Sequence, residues 1–176
     1  MSCETQTRRL HLRAIRIGDG ELLFPIFSDH RLWWYEPSSR HINLRQTDTY
    51  VERAAGRWNS DGFSYWIAFL VEDPSVVVGS GGVQRHRSGS WNLNYRIEHS
   101  LQRQGYATEL AMAGIAAAHS VDPTSPVIAW IDPLNAPSRA TALKAGLFFA
   151  GMRVDSSDGR KRAAYVDRKL PDASAD

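Results

Sequence analysis

"SLQRQGYATELAMAG" (100–114) sets Gln102, Arg103 and Gln104 directly before Gly105-Tyr106-Ala107 and then runs into an alanine-rich segment. Ala107, Leu110, Ala111, Gly114, Ile115 and Ala118 recur at helical spacing, which predicts a helix over 105–119 whose small-residue face lies close against a sheet. The first turn of a helix leaves backbone N–H groups unpaired and carries partial positive charge, and a glycine there lets an anion approach the backbone. A strand feeding straight into such a turn is a diphosphate cradle, to which Arg103 adds a positive charge. A second reading stays open on this stretch alone: Gly105 permits a tight turn, and 102–104 are solvated loop residues.

The strand before it is "GSWNLNYRIEH" (89–99), where Trp91, Leu93, Tyr95 and Ile97 alternate with Asn92, Asn94, Arg96 and Glu98. That period of two predicts one apolar and one polar face, and a polar face within a sheet is unusual unless it borders a cleft. "SYWIAFLVED" (64–73) and "SVVVGSGGVQRH" (75–86) precede it, with Asp-Pro and Ser-Gly-Ser turns between, and the three read as an antiparallel meander. The glycines of "GSGGV" (79–83) lead into more strand rather than a helix, and no G-x-x-x-x-G-K-[ST] occurs, so they mark a bulged or closely packed strand.

Further upstream, "RRLHLRAI" (8–15) predicts a strand. A short helix follows, capped by Asp19, with Leu22, Leu23, Ile26 and Phe27 on one face and Pro25 within its first two turns. An irregular connection over 29–45 then leads to a helix over 46–59. Downstream come a strand "VIAWI" (127–131), a helix from Asn135–Ser138 to Gly146, and strands near 147–154 and 163–170. The order gives an α/β fold of the α+β type, with about seven strands and four helices in one domain over 1–171 and a disordered tail at 172–176.

Composition sets the outer limits. With 176 residues, 43% of them hydrophobic, the chain is long enough for one well-filled core. A net charge of +2 excludes the polycationic surface that neutralises many nucleic-acid phosphates, and no run approaches the roughly 20 apolar residues that span a bilayer. The lone cysteine, Cys3, has no partner for a disulfide, and the first residues lack a leader's apolar core, so the expected compartment is the cytoplasm with no nucleic-acid or membrane partner.

Gln102-x-x-Gly105-x-Ala107 on a strand–loop–helix is similar to the Q/R-x-x-G-x-G/A signature of the GNAT (GCN5-related) N-acetyltransferases. "NAPSRATALKAGLFF" (135–149) resembles the N-x-x-S…K-x-GF segment of that family's RimJ/RimL-like subgroup, and "TRRLHLRAI" resembles its T-x-R-L-x-L-R opening. The resemblance implies a mostly antiparallel sheet that splays between the fourth strand (89–99) and the fifth (127–131), with acetyl-CoA, or another acyl-CoA, in the V. Backbone groups near Tyr95, Arg96 and Ile97 would pair with the pantetheine arm. Gln102, Arg103, Gln104, Gly105, Tyr106, Ala107 and Thr108 would hold the pyrophosphate, and Asn135, Ser138 and Arg139 would complete the cofactor site.

The implied activity is an N-acetyltransferase in which an amine attacks the thioester directly. A proton acceptor is then needed near the split, for which Glu98 and His99 are the candidates, and Ser138 matches a serine that protonates the departing sulfur. Ser138 and Asn135 are also plain helix-capping candidates. One departure stands out: many RimL-like chains carry a glutamate where this one has Ala150, before Gly151. The acceptor, a protein N-terminus or a small-molecule amine, is expected against Trp33, Trp34 and Tyr35, with Glu36 for its ammonium and the 84–90 turn nearby. Those aromatics equally fit a small satellite core. A homodimer is compatible with this reading. The alternatives are a non-catalytic acyl-CoA-binding or regulatory module, and an α/β domain in which Gly105 is only a turn.

Overall fold

A computed structural model describes residues 3–170; the tail predicted at 172–176 lies outside the described residues. The chain order is β1 (Glu4–Gln6), β2 (Leu10–Ala14), α1 (Gly20–Phe27), α2 (Leu44–Ser60), β3 (Trp66–Leu70), β4 (Val77–Arg85), β5 (Trp91–Ile97), α3 (Tyr106–Val121), β6 (Val127–Ile131), α4 (Ala136–Lys144), β7 (Phe148–Val154) and β8 (Lys161–Val166). The eight strands form one sheet in the order β1-β2-β3-β4-β5-β6-β8-β7. The unforeseen strand is β1, three exposed polar residues whose place comes only from pairing Glu4 with Arg13 and Gln6 with His11.

Two large apolar clusters fill the faces of the sheet, and a small third one, Ile128, Ala164 and Val166, lies at its β6–β8 end. Leu10, Leu12, Trp66, Val83, Trp91 and Leu93 pack with Leu110, Ala111 and Ala118 of α3 on one face. Ile15, Leu23, Ile26, Phe27, Val51 and Ile67 join α1 and α2 to the other. The "GSGGV" glycines let α3 sit directly on the sheet: a Cβ on Gly114 would lie 3.1 Å from Gly82 Cα, and one on Gly81 would lie 2.9 Å from a Leu110 methyl. Helix α1 differs from expectation in two respects. Leu22 is 44% exposed, and the Asp19 carboxylate makes no cap but accepts from the Arg13 guanidinium at 2.9 and 3.0 Å and the Arg16 amide at 2.7 Å. The strong, nearby guanidinium outcompetes helix N–H groups for it.

The feature that positions the site is the junction of β5 and β6. These strands run parallel and pair only at Trp91–Val127 and Asn92–Ile128. Beyond Asn92 they diverge, so Tyr95, Arg96 and Ile97 have β4 on one side and no strand on the other among the described residues. The Tyr95 hydroxyl spans the opening and donates to the Ser138 carbonyl at the start of α4, 2.7 Å away.

Candidate active site

The open V leads into a cleft of about 570 Å³. Its floor is Tyr95–Ile97 of β5, one wall is the 101–108 turn and first turn of α3, and the other is Asn135–Lys144. Arg103 (φ 63°) and Gly105 (φ 88°) are both left-handed, and Arg103 is the one non-glycine residue with positive φ among the described residues. Alternation of hand along such a turn aims successive backbone N–H groups into one concavity, an anion nest continuous with the helix N-terminus. A non-glycine residue holds this conformation at a cost of about 1–2 kcal/mol. Gly105 is the N-cap of α3 and makes no side-chain cap, so the first-turn N–H groups stay open to the cleft.

Charge agrees with that geometry. Among the described residues, Arg31, Arg96, Arg103 and Lys144 line the cleft and no carboxylate does. Arg31 is paired with Asp29 at 2.6 Å, and its hydrogen bonds hold that carboxyl down at about 2 against the opposing effect of burial. Arg96 lies over the Trp33 ring at 3.5 Å. The His99 Nδ1 is buried with no hydrogen-bond partner, and the ring lines the cleft, where a ligand group can satisfy it.

A second, smaller cavity of about 250 Å³ opens on the far side of the split, between β5, β6 and the β7–β8 hairpin. It is bounded by Asn92, Asn94, Trp130, Asp132, Asp155, Asp158 and Arg162, with Glu36 at its rim. Tyr35, Tyr95, Arg96, Asn135 and Ser138 line both cavities and mark where they meet. Burial pushes the Tyr95 phenol up, so it stays a neutral hydrogen-bond donor there.

The structure brings together Tyr95, Arg96, Ile97, His99, Gln102, Arg103, Gly105, Tyr106, Ala107, Thr108, Asn135, Ser138, Trp34 and Tyr35 around the cleft. Five other candidates lie elsewhere. Glu98 is turned back to cap the short 3-10 turn His99–Leu101, accepting from the Ser100 amide (2.8 Å), the Ser100 hydroxyl and the Leu101 amide (3.2 Å). Its carboxylate serves local N–H groups within reach and does not face the cleft. Gln104 points its amide at the Ser100 carbonyl (3.3 Å). Arg139 is held by the Tyr165 hydroxyl (3.1 Å) and the Pro133 carbonyl (3.2 Å), off the cleft.

On the acceptor side, Trp33 is 6% exposed, donates its indole N–H to the Phe27 carbonyl at 2.7 Å and belongs to the α1–α2 core. Glu36 is ion-paired with Arg160, so it is not free for an ammonium. In the 84–90 turn, Arg85 stacks on Trp91 at 3.8 Å and pairs with Asp122 at 2.9 Å, while His86 is buried against Asp155 at 3.0 Å. That turn is structural and lines neither cavity.

Asn135, not Ser138, caps α4: its Oδ1 accepts from the Ser138 amide at 3.1 Å, which leaves the Ser138 hydroxyl outside the cap. Two contributors escaped sequence reasoning. Arg9 donates from Nη1 to the Gln104 carbonyl at 2.8 Å and from Nε to Glu109 at 2.7 Å, and its guanidinium covers Tyr106 at 4.4 Å. Thr7 and the Arg9 amide also bind Glu109, at 2.5 and 2.8 Å. The T-x-R opening carried the signal, for it supplies both partners of the first-turn glutamate.

A family model described as an acetyltransferase (GNAT) domain matches residues 9–147. No curated protein matches the chain significantly. Among solved structures, it is similar to a GnaT-family acetyltransferase from Bordetella pertussis (TM-score 0.77, 18% identity, covering 94% of this chain and 99% of that one). It is also similar to the ribosomal-protein-S5-alanine acetyltransferase of Vibrio fischeri (TM-score 0.73, 13% identity, 97% and 98% covered). A RimL ribosomal L7/L12 α-N-protein acetyltransferase in complex with coenzyme A is a third (TM-score 0.69, 15% identity, 91% and 93% covered). At such identities the likeness establishes the fold. Because the matching family model spans most of the sequence, from Arg9 to Leu147, the chain belongs to the GNAT acetyltransferase domain family.

Proposed function

We propose that the protein is an acetyl-CoA-dependent N-acetyltransferase that transfers an acetyl group to a primary amine by direct attack. The observation that carries this reading is the anion nest of Arg103–Gly105, set at the head of α3 in a cleft lined, among the described residues, by four cations and no carboxylate. A diphosphate fits that chemistry: unpaired N–H groups, a glycine with no side chain in the way, and Arg103 alongside, while Gln102 lines the cleft with its side-chain amide donated to the Ile97 carbonyl at 3.2 Å. The side of Tyr95–Arg96 that no strand pairs among the described residues offers backbone groups to a pantetheine arm, in the manner of an added strand, next to the Ile97 carbonyl that the Gln102 amide holds.

Bound acetyl-CoA would supply the activated acetyl thioester. The residues of the chain then do the positioning, from which most of the acceleration comes. Ser138 stands at the meeting of the two cavities with its hydroxyl free of the helix cap, suited to give a proton to a departing sulfur. His99 faces the cofactor cleft, where its unpartnered Nδ1 can bind a ligand group. The acceptor enters through the smaller polar cavity. That cavity resembles no hydrophobic pocket, and with Ala150 at the RimL-like glutamate position no ribosomal-protein acceptor is carried over to this chain. The single exposed, unpaired Cys3 suits a cytoplasmic setting, and among the described residues no helix is long and apolar enough to cross a membrane.

Calorimetric titration with acetyl-CoA tests the reading at its base. Saturable one-site binding is expected, and the absence of detectable heat would remove acyl-CoA from the account. A non-catalytic acyl-CoA module draws support from Ala150 and from the commitment of Glu98 to a turn, and turnover separates it from an enzyme.

A further inference from the structure

The smaller cavity gives a second reactant a way to the split when the larger one is filled, because the two meet around Tyr35, Tyr95, Arg96, Asn135 and Ser138. Four carboxylates border it: Glu36, Asp132, Asp155 and Asp158. Three are already paired with cations. Glu36 pairs with Arg160; Asp155 takes Arg162 at 2.9 Å and His86 at 3.0 Å; and Asp158 takes Arg162 at 2.7 Å. Asp132 is the exception. One of its oxygens accepts the Leu134 amide at 2.8 Å, and no ion pair among the described residues engages the carboxylate. Its charge is felt by Arg162 only at a distance.

Position completes the case. Asp132 follows directly on β6, on the strand that leaves β5 at the split, and its carbonyl accepts the amide of Asn135, the cap of α4, at 2.9 Å. It therefore stands three residues before Asn135 and six before Ser138, the two α4 residues shared by both cavities. A cavity of about 250 Å³ is smaller than the roughly 300–1,000 Å³ usual for whole ligands, so it admits the amine-bearing end of an acceptor.

We propose that Asp132 is a catalytic residue: it pairs with the acceptor's ammonium group in the small cavity and takes the proton that must leave before attack. This rests on the acetyltransferase reading above. The step balances as follows. The ammonium gives one proton to Asp132; the neutral nitrogen forms a C–N bond to the acetyl carbon as the C–S bond breaks. The sulfur takes a proton from Ser138, which regains one from the acylated nitrogen, and Asp132 later returns its own to solvent. The substrate class that follows is a primary amine that is cationic when free, bound in polar surroundings with Arg96, Arg162, Glu36, Asp155 and Asp158 around it.

Asp132→Asn is a clean test, because the asparagine oxygen still accepts the Leu134 amide and the net shape is unchanged. With alanyl-alanine amide and ethylenediamine as acceptors, kcat/KM for the amine should fall on the order of 10²-fold. The acid limb of its pH profile should be displaced, acetyl-CoA affinity and melting temperature should stay at the wild-type values, and Asp132→Glu should recover part of the rate. Wild-type amine kinetics and pH profile in Asp132→Asn would overturn the role of Asp132 and leave the acetyltransferase reading standing. Acetyl-CoA binding without turnover of either amine by the wild-type protein would overturn both.

Discussion

Arg9 and Glu109, 100 residues apart in sequence, meet side chain to side chain at 2.7 Å, and the same guanidinium reaches the Gln104 carbonyl at 2.8 Å. The residue just before β2 is thereby fastened to both ends of the turn that opens α3. Arg9→Ala should lower stability by about 1–3 kcal/mol, since it strands a partly buried carboxylate. Acetyl-CoA affinity should fall on the order of 10-fold as the nest loses its clamp, about 1.4 kcal/mol of binding. Urea unfolding and calorimetry read the two effects separately, and a stability loss with unchanged affinity would reduce Arg9 to a fold residue.

The same pair predicts a pH dependence. Burial pushes the Glu109 carboxyl up, but the Thr7 hydroxyl, the Arg9 amide and the Arg9 guanidinium together hold it below its ordinary 4.5. A carboxylate with a depressed folded pKa stabilises the protein fully above its unfolded value and loses that contribution as pH falls through the folded one. Asp155, Asp158 and Asp167 are likewise held low, so the urea midpoint should fall steeply below about pH 4, beneath a shallower decline that begins near pH 6.5, where burial and Arg96 keep the His41 imidazole harder to protonate than in the unfolded chain. Glu109→Gln should be less stable at neutral pH and show a shallower acid slope; an unchanged slope would contradict the assignment.

Gly105→Asp puts a carboxylate into the nest. Its φ of 88° makes any side chain cost about 1–2 kcal/mol, and the new Cβ would lie 3.3 Å from Arg9 Nη2, an ordinary flexible neighbour, so the fold should survive. Acetyl-CoA affinity should drop on the order of 10²-fold, about 2.7 kcal/mol. Gly105→Ala bears the same backbone cost without the charge and isolates the electrostatic part. Equal affinity in the aspartate variant and the wild type would reject the cradle.

Ser138→Ala should leave the melting temperature alone, because Asn135 supplies the cap, while kcat falls on the order of 10²-fold. Glu98→Gln should behave in the opposite manner. The amide oxygen can still accept from Ser100 and Leu101, so the rate and its pH profile should hold while the turn loosens slightly. A rate collapse in Glu98→Gln would restore it as a candidate base.

Much of this was legible in the sequence. The alternation of Trp91 to Glu98 and the 3.6-residue spacing from Ala107 to Ala118 placed the strand and helix that build the cleft, because both periodicities follow from which face is buried. What stayed hidden depended on partners far along the chain. No local pattern distinguishes a free Glu36 from one held by Arg160, or a Trp33 lining a pocket from one buried under Arg96. Glu98 misled for a different reason: a carboxylate before a tight turn caps it, and the short-range N–H groups of Ser100 and Leu101 outbid the cleft. The strand β1 has no apolar residue by which to be seen.

The central claim is that this chain moves an acetyl group to an amine, and thiol release from acetyl-CoA measures it directly. With a panel of primary amines and peptide N-termini, the account predicts saturable, amine-dependent release that needs far more acetyl-CoA in Gly105→Asp and is strongly slowed in Ser138→Ala. Tight acetyl-CoA binding with no amine-dependent release above background across the panel would contradict it and favour a non-catalytic acyl-CoA-binding module.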